Sequence, residues 1–63
     1  MKILDSIYRL PNMLVHEGKI TKALKNKELY VNGQLVENEK YMLPKGEFVQ
    51  EVKVGEKIIF KNT

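Results

Sequence analysis

Three features of this 63-residue sequence predict an α+β fold, with two short helices packed on a small, mainly antiparallel sheet of four to five strands. The apolar rhythm is helical up to about residue 25 and alternating beyond it. An Asn-Gly pair at positions 32 and 33 lies between two apolar triplets, Leu29-Tyr30-Val31 and Gln34-Leu35-Val36. Two later alternations, VKV and KIIF, flank Gly55-Glu56.

The elements follow in chain order. Ile3, Leu4, Ile7 and Leu10 recur at helical spacing, Asp5 falls in the first turn where a carboxylate is favoured, and Pro11-Asn12 ends the run. A first helix is predicted over residues 2–10. Met13 to His16 is apolar but too short for periodicity to separate a helical turn from a strand, and Gly18 is read as the break after it. From Lys19 a second helix places Ile20, Ala23 and Leu24 on one stripe, with Lys19, Lys22 and Lys25 on the neighbouring exposed side. Helices this short are unstable alone, so both must lean on the sheet.

Asn-Gly accommodates the two positive φ angles of a type I′ turn, which predicts a tight hairpin at Asn32-Gly33. A two-residue loop pairs Val31 with Gln34 and Leu29 with Val36. It sets Leu29, Val31 and Val36 on the core face, with Tyr30 and Leu35 opposite. Tyr41 to Leu43 is predicted as a third strand, ended by a Pro44-Lys45-Gly46 turn, and Phe48-Val49 as the start of the next. Gly55-Glu56 suits a type II′ hairpin, and Asn62-Thr63 is expected to fray. A mostly β barrel with residues 13–16 as an early strand is the competing architecture.

Composition bounds the function. At 7.4 kDa the chain supports one domain, residues 1–63, with a small core that self-association would supplement. It has no cysteine and one histidine, which excludes a disulfide framework and a Cys/His metal cluster. No apolar run approaches the roughly 18 residues that span a bilayer, so a cytoplasmic location without membrane contact is expected.

One serine, Ser6, and one histidine are a poor catalytic inventory, so no enzyme, cofactor or metal is expected. His16-Glu17 opens like HExxH, but Ile20 stands where the second imidazole belongs. The four glycines stand apart at 18, 33, 46 and 55, which leaves no phosphate-binding loop. The glutamates at 37, 39, 47, 51 and 56 read as solvated sheet edges.

Charge distribution is more telling. Residues 1–36 carry Lys2, Arg9, Lys19, Lys22, Lys25 and Lys27 against Asp5, Glu17 and Glu28, and the remaining charges cancel. The net +3 therefore sits in the helical half. Lys19, Lys22, Lys25 and Lys27 are the candidate RNA-binding residues, ammonium groups suited to neutralising phosphates with salt-sensitive affinity and little sequence preference.

Ala23-Leu24, Leu29 to Gly33 and Val36, with Gly46-Glu47 following Gly33 by thirteen residues, resemble the central part of the S-four RNA-binding domain, or alpha-L motif. The likeness spans about residues 20–49. It implies two helices on a small sheet, with the second helix and adjoining hairpin forming an RNA-binding face and the four lysines contacting phosphates. Structured RNA or the ribosome would be the partner. His16 and Glu17 stand where the family has Ser-Arg, and Lys27 replaces a glycine, which predicts loss of an easy left-handed cap and a shifted helix end. A protein-interaction module, such as a phage-encoded or accessory inhibitor or adaptor, is the alternative reading. It would act through the sheet edge or C-terminal hairpin, with homo-oligomerisation as one form. A winged-helix DNA binder ranks last because the helices are few and short.

Overall fold

A computed structural model describes residues 2–62. Helix α1 spans Ile3–Tyr8 and a 3-10 turn spans Leu14–His16, continuing directly into α2, Glu17–Lys25. Strands β1 (Leu29–Val31), β2 (Gln34–Leu35), β3 (Glu51–Val54) and β4 (Lys57–Lys61) form one antiparallel sheet in the order β2-β1-β3-β4. The expected α+β class with helices on one small sheet is the observed one.

Helix α1 is shorter than predicted. Pro11 disfavours helical geometry at Leu10 before it, and Asn12 turns the chain with a φ of +64°. Ile3 and Ile7, one helical turn apart, are fully buried. Helix α2 begins two residues earlier than predicted and contains Gly18, which is therefore no break. The burial of Ile20 and Ala23 holds the helix on the sheet. Gly18, the second residue of the helix, is tolerated there despite the low helix propensity of glycine.

The helix ends in a left-handed cap. Glu28 N donates to Ala23 O (2.7 Å) and Lys27 N to Leu24 O (3.3 Å), the paired bonds of a Schellman motif. Lys27 itself takes the left-handed conformation at φ +59°, so the lysine in place of glycine keeps the cap. The predicted displacement of the helix end does not occur. Two residues later β1 begins, which binds α2 and the hairpin into one unit.

The hairpin forms as predicted. Asn32 and Gly33 have φ of +54° and +81°, Val31 pairs with Gln34, and Val36 N donates to Leu29 O (2.8 Å). Leu29, Val31 and Val36 are buried on the core face with Val52, Ile3, Ile7, Met13, Ile20 and Ala23. Gly55 has a φ of +60° and Glu56 has none of the positive-φ geometry, the sign pattern of a type II′ turn. A β-bulge lies between β3 and β4 at Val52/Lys53.

The segment between the hairpins departs from expectation. Residues 41–43 form no strand. Their only strand-type pairing among the described residues is a single bridge, Lys2 with Met42, beside a bond from Ile3 N to Tyr41 O, so they lie at the start of α1 instead of extending the sheet. Phe48 and Val49 also lie outside the ladder, which starts at Glu51. Their backbone is engaged by a side chain. Asn32 Nδ2 donates to Phe48 O (2.8 Å), and Asn32 Oδ1 accepts from Gln50 N (2.7 Å) and Glu51 N (3.1 Å). Asn62 does not fray: its N–H donates to Gln50 O (2.7 Å) and its side chain to Gln50 Oε1 (3.2 Å). Thr63 lies outside the described residues.

Candidate nucleic-acid interface

Burial of Ile20 and Ala23 sets the rotation of α2 and turns its other side to solvent. Lys19, Lys22 and Lys25 recur every three residues there and all are exposed. At about 100° and 1.5 Å per residue, successive members lag by about 60° and rise about 4.5 Å, so the three form one oblique stripe.

The fourth lysine, Lys27, is also exposed but occupies the left-handed cap, off the helical stripe and at the entrance to β1. The structure thus groups Lys19, Lys22 and Lys25 on one face and sets Lys27 at its C-terminal end. None of the side-chain hydrogen bonds among the described residues uses these ammonium groups. Glu17, exposed in the first turn, is the acidic neighbour on the helix.

The hairpin tip has the opposite character. Asn32, Gly33, Gly46, Glu47 and Glu51 line a shallow cavity of about 570 Å³. The Asn32 amide is fully engaged, and also donates to Glu47 Oε1 (3.3 Å). Gly33 and Gly46-Glu47, thirteen residues apart, meet here, because the Asn32 side chain draws the later loop onto the turn. Two carboxylates and no cation line this cavity, so it repels a phosphate. The exposed lysine stripe lies on α2 instead.

Ser6 and His16 belong to separate elements, α1 and the 3-10 turn. Ser6 Oγ donates weakly to Lys2 O (3.4 Å) within its own helix. His16 is the half-buried residue before α2, and Ile20, where HExxH needs its second ligand, lies in the core. Among the described residues no group of three or more metal-ligating side chains occurs, and no helix is long and apolar enough to cross a membrane.

Sequence periodicity missed the exposed apolar side chains. Leu14 and Val15 are 63% and 79% exposed beside the start of α2, and Phe48 is 74% exposed. The brief run at 13–16 has one buried member, Met13, and only the observed 3-10 turn tells which residues face outward. Comparison with protein families, characterised proteins and solved structures returned no match to this chain.

Proposed function

We propose that this chain is a small non-catalytic RNA-binding module in which Lys19, Lys22 and Lys25 on α2, with Lys27 at its end, contact phosphates. The observation that carries this reading is the exposed lysine stripe on a capped helix, whose ammonium groups make no side-chain hydrogen bond among the described residues. Cations held on one face of a helix release counterions when they meet a polyanion, and that gain grows with the number of phosphates neutralised. The S-four likeness supports RNA as the polyanion, with structured RNA or the ribosome as partner and the cytoplasm as its place of action. The carboxylates at the hairpin tip limit the phosphate face to α2.

The test is the mass of the protein in solution, alone and after mixing with total cellular RNA, at low and high salt. RNA-bound protein at low salt that is released at high salt supports the proposal. Free protein under both conditions contradicts it.

A second reading, protein interaction through the sheet, is favoured by one observation. On the face away from the helices, cross-strand pairing aligns Leu35, Tyr30, Lys53 and Ile58 in a row over all four strands, and Ile58 is 47% exposed. The adjacent edge strand β4 carries Lys57 and Lys61 at its ends, charges that discourage indiscriminate pairing. A concentration-dependent dimer mass without RNA would support this reading.

A further inference from the structure

Gly18 is not required by the fold. It lies in the first turn of α2 without the positive φ that favours glycine, and a Cβ built on it would meet nothing within 4 Å. Alanine would therefore fit and strengthen the helix. Leu14 and Val15 pose the same question, being large apolar side chains that are 63% and 79% exposed. All three run against the interest of the isolated chain, and they are neighbours. Val15, Gly18 and Lys22 follow at spacings of three and four, which aligns them along the outward side of the 3-10 turn and α2.

We infer that Gly18 is the point of closest approach for the sugar-phosphate backbone of RNA on this face, with Leu14 and Val15 packed against ribose beside it. This rests on the RNA reading above and adds a contact that the lysines alone do not supply. A helix with side chains is about 10–12 Å across, whereas its Cα atoms lie at a radius of about 2.3 Å. A glycine therefore opens a notch several ångströms deep in the side-chain layer. Lys22, one turn beyond it on the same face, borders that notch with an ammonium group, and Lys25 continues the line along the helix. A ridge of phosphates fits a notch with a line of cations along its C-terminal side, and apolar side chains at its other end cover the non-polar faces of the sugars.

Charge selects the occupant. With Lys19, Lys22 and Lys25 on the stripe and Glu17 the acid beside them, the partner must be anionic. RNA supplies a regular line of anions with intervening sugars, matching the cationic and apolar parts of the face together. An acidic polypeptide is the competing occupant, and the experiment separates it.

Affinity for a labelled RNA stem-loop is measured with thermal stability for Gly18→Ala, Gly18→Leu, Val15→Ser and the double variant Lys22→Glu/Lys25→Glu. Filling the notch with alanine raises the Tm by about 2–5 °C while weakening binding about threefold. Leucine weakens it about tenfold, and Val15→Ser about twofold. A rise in stability with a fall in affinity cannot arise from damage to the fold. If the double lysine variant loses affinity while both Gly18 variants bind like the parent chain, the notch is overturned and the lysine face stands. If all variants bind alike, the RNA reading itself fails. Poly-glutamate displacing the stem-loop as effectively as unlabelled RNA would overturn RNA as the occupant.

Discussion

Ile20 and Ala23 on one side of α2, and Lys19, Lys22 and Lys25 on the other, belong to the same nine-residue helix and answer to different constraints. The inward side chains are 0% and 1% exposed and join the core with Leu29, Val31 and Val52. Among the described residues the outward ones make no side-chain hydrogen bond, and Gly18 beside them fills no steric need. Folding thus dictates one side and leaves the other unconstrained. Substitutions inward should lower stability, and substitutions outward should lower binding without unfolding the chain.

The largest effect expected on the inward side is from Leu29→Ala, which removes a fully buried side chain where α2 meets the sheet. Loss of apolar burial plus the cavity left behind should cost about 2–5 kcal/mol, read from the denaturant midpoint. A cost under about 1 kcal/mol would break the picture of one tightly packed layer. Asn32→Gly comes next. Glycine preserves the positive φ but removes the side-chain bonds to residues 47, 48, 50 and 51, and should cost about 1–2 kcal/mol. Hydrogen exchange should then speed up at Gln50 and Glu51, whose N–H groups lose their acceptor.

Two smaller changes should raise stability. The Tyr8 hydroxyl is buried without a hydrogen-bond partner, so Tyr8→Phe should gain about 1 kcal/mol by removing a desolvated polar group. Lys27→Gly should gain about 0.5–1 kcal/mol by relieving the left-handed backbone at the Schellman cap. It also removes one of the proposed phosphate contacts, so stability should rise as RNA affinity falls. That opposition sharpens the contrast between the two sides of the unit.

How far the fold could be read beforehand follows from how local each signal is. Asn32-Gly33 specifies its turn from two residues, so the register and the core face of β1 were legible. Gly55-Glu56 was legible for the same reason. The strands expected at 41–43 and 48–49 failed because distant groups claim their backbones. Ile3 N bonds Tyr41 O, while the Asn32 side chain bonds Phe48 O and Gln50 N. No window along the chain contains both partners of such a bond.

Gly18 and Lys27 misled in opposite directions. A glycine read as a helix break stands inside α2, and a lysine expected to spoil a left-handed cap adopts it. In both cases anchoring by neighbours outweighs a local preference of about 1 kcal/mol. The lysine stripe was legible because periodicity alone places residues 19, 22 and 25 together. The exposure of Leu14 and Val15 was not, since it depends on the 3-10 turn that directs Met13 inward.

The central claim is that the α2 lysines bind phosphates, and the salt dependence of RNA binding tests it most directly. Four phosphate contacts predict a plot of log affinity against log salt with a slope of about −3 to −4, and Lys22→Glu/Lys25→Glu should flatten it by about 2, with a modestly lower Tm because both carboxylates fall in the last turn of α2. The same slope for the parent chain and the double variant would contradict the account.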